Sequence, residues 1–419
     1  MWVAPALLFA KIPVMGKKGN PALQEQLSGA FGVYSNSYDV PTGYGQQVKY
    51  LIDFLLRQGL DVANFSNFGL EGKIDVIKTP YGEATHFPRG FSGYSQEVAP
   101  LDFMTWSNSI KKKDLFFTLY DVWILESEHY EKFRQIWSWT PLDHITMPAK
   151  VEQWLRKPNV LPIAMSPFGH RQMNDKGIDN VYIPHSIDTK VLKENWTLSS
   201  GADVRDYWKS RDKFVVGMVA ANKASGLMHR KAFSENLMAF SIFQKKHKDA
   251  VLYLHTDATG GGIGWNLLEM LKGLGVPEES VLLVNPLEYR YGASQQNLAA
   301  YYTGMNVLLA PSMGEGFGVP TVEAQACGTR VIASNWAASQ DLVADDGWLV
   351  DGTPVWDAGQ LSWWQTPNVP SIVDALEQAY DLGHGKSEVA KKFAADFDVD
   401  TVWWRDWMPL LRKEFDATS

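Results

Sequence analysis

Short apolar runs recur along the chain, and most are followed by a stretch in which apolar residues return roughly every three or four positions. Runs of about four to eight such residues suit strands buried on both faces, and the longer spacing suits helices with one packed side. In the first half the runs fall at 31–35, 61–65, 114–120, 135–139, 160–165 and 180–183, and a helix is predicted over 46–57, stopping at Gly59. A glycine turn at 41–45 separates the first strand from that helix. A polar, less periodic stretch at 189–213 reads as a connection. The pattern then restarts at 214–219, 250–255, 281–284, 306–310, 330–333 and 347–350, alternating with helical segments such as 230–246 and 294–303. Strand, loop, helix and parallel strand make the unit of a doubly wound sheet, so the predicted class is α/β with two Rossmann-like domains. Their ligand crevice would lie between the carboxyl ends of both sheets.

The segment 308–331, L-L-A-P-S-M-G-E-G-F-G-V-P-T-V-E-A-Q-A-C-G-T-R-V, carries the most chemistry. A strand leads into a loop with Gly314, Gly316 and Gly318, which let backbone approach a ligand closely. A helix is predicted to start near Val319, with Pro320 at a first-turn position and Gly328 as its stop. Free N–H groups at such a start favour a phosphate. Glu315 and Glu323 would be repelled by that phosphate, so they are assigned to sugar hydroxyls, which donate to carboxylates. The implied ligand carries phosphate and sugar together.

Composition narrows this reading. A chain of 419 residues exceeds one ordinary core, and 45% hydrophobic with 21% charged residues fits a soluble globular protein. The formal charge of -8 argues against general nucleic-acid binding. A single cysteine, Cys327, excludes an internal disulfide and fits a reducing, cytoplasmic compartment; its place inside a predicted helix reads as packing. The apolar run at 2–10 is too short to span a membrane and reads as an ordered N-terminal extension, with a peripheral membrane contact as the alternative. Seventeen tryptophans, several at 363–364 and 403–407, fit either core packing or a carbohydrate-stacking platform.

Read whole, G-E-G-F-G-V-P followed by E-A-Q-A-C-G-T resembles the E-x7-E signature of retaining glycosyltransferases of family 4, which have the GT-B fold. P-T-G-Y-G at 41–45, S-P-F-G at 166–169, I-P-H-S-I-D-T at 183–189 and G-M-V-A-A-N from Gly217 look like landmarks of the same family, in order. The resemblance implies an acceptor-binding domain at 1–205 and a nucleotide-sugar-binding domain at 206–386, with a terminal helix at about 387–419 packing back on the first. It implies that Glu315 and the backbone of Gly316, Phe317, Gly318 and Val319 hold the transferred sugar, and Glu323 the ribose hydroxyls. Arg230 and Lys231, placed at the start of the helical segment after a loop with Asn222, look like the pyrophosphate-binding pair. Gly43 is a candidate for close approach to the donor phosphate across the cleft.

On the acceptor side Asp121, Asp143 and His144 are candidates for orienting or deprotonating a hydroxyl, since they follow middle strands of the first domain. The resemblance implies hexose transfer with retention from a UDP- or GDP-sugar to a glycan, lipid-linked or protein acceptor. No cofactor or metal is expected: the D-x-D run of Asp396, Asp398 and Asp400 suits helix capping, and the glycines at 260–264 suit a connection. Two other classes compete. A GT-B carbohydrate- or nucleotide-binding protein without transfer would keep the donor site alone. A dinucleotide oxidoreductase would need G-x-G-x-x-G, which P-T-G-Y-G-Q-Q-V does not supply.

Overall fold

Two parallel sheets organise the chain in the computed structural model, which describes residues 27–224 and 228–416. The run at 2–10 lies outside the described residues. The first sheet holds β1 Ala30–Asn36, β2 Asp61–Phe68, β3 Asp75–Thr79, β4 Gly82–Phe87, β5 Asp114–Leu119, β6 Ile136–Thr140, β7 Val160–Ala164 and β8 Val181–Tyr182. Its order is β3-β4-β2-β1-β5-β6-β7-β8, parallel except for the β3–β4 edge pair. The second sheet holds β9 Phe214–Val219, β10 Ala250–His255, β11 Val281–Leu283, β12 Val307–Leu309, β13 Arg330–Ser334 and β14 Trp348–Val350, in the order β11-β10-β9-β12-β13-β14. A separate antiparallel hairpin, β15 Gly352–Asp357 with β16 Ser362–Pro367, follows.

The central strands are buried on both faces because helices cover them; every residue of β6 and β12 is buried. The helix after β1 runs Gly43–Arg57, so the glycine turn predicted before it is the helix's own first turn, capped by the Thr42 hydroxyl accepting from the Gly45 amide. The pattern at 230–246 overreaches at its start. The helix there is Phe233–Lys246, because Ala232 takes a left-handed conformation with φ of 47° and ends a preceding turn. Arg230 and Lys231 therefore sit on that turn and not on the helix.

Strand order fixes where a site can form. In each sheet the chain reverses its direction of travel at one point, between β1 and β5 and between β9 and β12. Loops leaving the carboxyl ends of these strands diverge to opposite faces and leave a crevice. Those loops supply the residues described below.

The lobes are tied by two crossings of the chain that pair with each other. The Ile187 amide donates to the Phe397 carbonyl, and the Val399 amide donates back to Ile187. Asp398 caps the helix Val399–Val402 through its amides and accepts from the Thr189 hydroxyl at 2.5 Å. Beyond it the chain returns to the first lobe, where Trp407 packs edge-on against Trp139 at 5.1 Å and Trp403 stacks on Phe54 at 4.6 Å. Helix Met408–Phe415 ends with Phe415 beside Phe31. Trp407 is fully buried, so Trp407→Ala should destabilise the first lobe by about 3–5 kcal/mol. Denaturant unfolding followed by circular dichroism checks this; an unchanged midpoint would remove the terminal segment from the lobe's core.

Candidate functional site

The loop between β12 and the helix Val319–Ala326 enters the crevice from the second lobe. Gly318 takes φ of 110° and caps that helix, and Pro320 occupies its first turn. Gly314 and Gly316 are small for a different reason than ligand approach: a Cβ on Gly314 would fall 2.2 Å from the Asp143 carbonyl oxygen, and one on Gly316 2.4 Å from the Pro141 Cβ. The first lobe itself fills that space. A pocket opens between the ends of β9 and β12, lined by Lys231, Glu315, Gly318, Pro320 and Thr321 among others. Helix amides, a cation and a carboxylate thus converge at the second sheet's reversal point.

Glu315 lies between two cations. Arg230 Nη1 donates to its Oε2 at 3.0 Å and Lys231 Nζ to its Oε1 at 2.5 Å. Burial pushes the Glu315 carboxyl up, but Lys231 and Arg230 outweigh it and hold the group at about 2. Arg230 also donates to the Gly314 carbonyl and lies 3.9 Å from Asp143 Oδ2. An anion entering the pocket would therefore meet cations already oriented, in competition with one carboxylate.

From the first lobe come Asp121, after β5, and Asp143 with His144, after β6. His144 Nδ1 lies 2.7 Å from Asp143 Oδ1, and its Nε2 lies 3.1 Å from Asp357 Oδ2 on the hairpin. Burial lowers the His144 pKa, and the hydrogen bonds and charges of Asp143 and Asp357 more than reverse that. A carboxylate at each nitrogen favours the protonated ring and fixes its orientation. For Asp143, burial is outweighed by His144 and then Arg230, and its carboxyl lies below the usual range. Asp121 is exposed at the cleft mouth, and desolvation by the surrounding walls, with Asp143 next, lifts it to about 6.

The remaining candidates take the following places. Glu323 is partly buried on the helix and accepts from the Tyr302 hydroxyl at 2.7 Å; burial lifts it to about 7. Gly43 opens the first helix with empty space where a side chain would be. Val319 is the first helical residue. The Asn222 side chain is committed to protein, donating to the Asp257 and Trp265 carbonyls and accepting from the Trp265 amide, with His229 Nε2 also on its oxygen. It clamps the glycine loop at 260–264. The Phe317 ring is buried against His185 and Phe397 in the hinge, which leaves its backbone alone for a ligand.

Tyr44, Asp357 and Trp364 were not foreseen. Tyr44 lies inside P-T-G-Y-G, close enough to Asp121, Arg230 and Asp143 to feel their charge. Trp364 belongs to a tryptophan cluster noted above and stacks on His144 with ring centroids 4.8 Å apart. Nothing local in the sequence marks Asp357.

Known proteins share this architecture. Residues 224–359 match the family described as "Glycosyl transferases group 1". A sucrose-phosphate synthase from Thermosynechococcus elongatus superposes with a TM-score of 0.69 at 17% identity, covering 94% of this chain and all of that one. The catalytic domain of starch synthase IV from Arabidopsis thaliana, bound to ADP and acarbose, gives 0.64 at 14% identity over 93% of this chain and 99% of that one. The chain has the GT-B fold. In sequence, a D-inositol 3-phosphate glycosyltransferase of Catenulispora acidiphila is 31% identical over 172 residues, 38% of this chain and 37% of that protein. This GT-B chain thus spans less than half the length of the curated relatives it matches.

The raised Glu323 pKa has a stability consequence. Its folded value of about 7 lies above that of an exposed carboxyl, so the stability tied to its bound proton is present in acid and is lost as pH rises through about 7. Glu323→Gln should therefore raise the melting temperature at pH ~8 and leave it nearly unchanged at pH ~5. Thermal unfolding at both values tests this, and an equal shift at both would show that Glu323 is ionised throughout.

Proposed function

We propose that this chain is a retaining glycosyltransferase that moves a hexose from a UDP- or GDP-sugar to an acceptor hydroxyl. The observation that carries the reading is the grouping of Glu315, Arg230 and Lys231 beside the amide end of Val319–Ala326, opposite carboxylates from the other lobe. In this reading the diphosphate lies against Arg230, Lys231 and the helix amides, and Glu323 accepts from the ribose hydroxyls. The bond from the anomeric carbon to phosphate oxygen breaks, its electrons stay on the phosphate, and the acceptor oxygen bonds the same face of that carbon. The acceptor proton passes to the departing phosphate oxygen. Arg230 and Lys231 stabilise the charge developing there, which lets transfer proceed without a metal. Glu315 faces the positive charge on the sugar, and Asp121 orients the acceptor hydroxyl.

In this reading the acceptor is a glycan, a lipid-linked glycan or a protein, and the reaction belongs to the cytoplasm. The match to the "Glycosyl transferases group 1" family spans both Arg230 with Lys231 and Glu315 with Glu323, which supports the donor side of the proposal. No helix among the described residues is long and apolar enough to cross a membrane.

Incubation with a panel of nucleotide sugars should release nucleoside diphosphate slowly even without acceptor, because water competes for the anomeric carbon. Binding without release would favour a silent binding protein instead. Glu315→Ala should lower turnover by about 100-fold or more while nucleoside diphosphate affinity holds or rises, since the substitution frees both cations. Undiminished turnover in that variant would remove Glu315 from the reaction.

A further inference from the structure

The hairpin β15–β16 belongs to the second lobe by sequence, yet it is fastened to the first. Ile145 and Trp363 exchange backbone hydrogen bonds of 3.0 and 3.1 Å, and the Ser362 hydroxyl donates to the Thr146 carbonyl. Its register pairs Asp357 with Ser362 and Val355 with Trp364, so these four side chains share one face of the ribbon. That face meets His144: Asp357 takes its Nε2, and Trp364 stacks on its ring within 21° of parallel. The opposite face carries Trp356 and Trp363, which pack edge-on against each other and are a little under half exposed.

A contact serving only to dock the lobes could end on any polar group. This one continues into the site. Asp357 bonds His144, His144 bonds Asp143 at 2.7 Å, Asp143 lies 3.9 Å from Arg230, and Arg230 bonds Glu315 at 3.0 Å. The sequence of charges alternates in sign and crosses from lobe to lobe at each end. We propose that Asp357 is a positioning residue: through His144 it fixes the Asp143 carboxylate beside the donor cations, so the centre is complete only when the hairpin is seated on the first lobe. This rests on the transferase reading and adds to it a residue and an element that act on the reaction from outside the donor loop.

The groups facing His144 are Asp143 on its own loop and Asp357 on the hairpin, with Asp121 and Arg230 beyond Asp143. Replacing Asp357 removes one of the two carboxylates that face the His144 ring. The ring then loses its proton at lower pH, and Asp143 is free to turn toward Arg230.

The test uses the full chain as wild type, Asp357→Asn and Asp357→Glu, with nucleotide-sugar turnover followed as a function of pH. Asp357→Asn should lower kcat by about 100-fold through loss of alignment. Its donor KM should change by less than about twofold, since no donor contact is removed. The alkaline limb of its pH profile should move to lower pH, and Asp357→Glu should recover part of both effects. Thermal shift by UDP or GDP verifies that each variant is folded; if Asp357→Asn is not, Asp357→Glu carries the test with an intermediate kcat and an unchanged nucleotide shift. Wild-type kcat and an unmoved alkaline limb in the variant would overturn the positioning role while leaving the transferase reading intact. Absence of turnover in wild type with every nucleotide sugar would instead overturn the transferase reading, and this role with it.

Discussion

A carboxylate kept ionised in a partly enclosed cleft is stabilised by opposite charge close by, and Glu315 has two such neighbours. Arg230 and Lys231 come from one turn, Glu315 from the loop after β12, and the two meet because β9 and β12 are adjacent at the point where the second sheet reverses. Remove the cations and the glutamate would take up a proton; remove the glutamate and two cations would face the cleft unpaired. Either loss costs more than the pair itself contributes, which is why the arrangement holds its shape before any ligand arrives.

The same grouping explains the close contact of the lobes. Gly314 and Gly316 bring the donor loop against the Pro141–Asp143 backbone, and Arg230 reaches Asp143 across that seam. His144 then hands the contact to the hairpin of the second lobe. His185, Phe317 and Phe397 form a tilted and edge-on aromatic cluster beneath, and burial keeps His185 neutral by pushing it down to about 3. Charge at the seam and aromatic packing at the hinge thus act on one joint, and both are arranged by loops at the carboxyl ends of parallel strands.

Much of this was legible in the sequence because strands buried on both faces leave unbroken apolar runs. The two doubly wound sheets followed from β1, β5, β6, β9, β10 and β12 on that ground, while the GT-B fold was implied by the family resemblance. The β3–β4 edge was missed, since Asp75 and Lys78 are exposed and interrupt the run. The start of helix Phe233–Lys246 was misplaced because a left-handed Ala232 has no sequence signature, unlike a glycine. Glu315, Arg230 and Lys231 were nameable because their chemistry is local to two loops. Asp357 was not: its partner lies 213 residues away, and their contact depends on lobe docking. Asn222 and Phe317 show the converse, with side chains spent on the protein's own loops and hinge.

The most direct measurement is calorimetric titration of UDP and GDP into the wild-type chain and into an Arg230→Ala/Lys231→Ala double variant. The account predicts saturable binding of at least one diphosphate by wild type and its loss in the folded double variant. Equal affinity in both proteins, or no binding of either nucleotide to wild type, would contradict it.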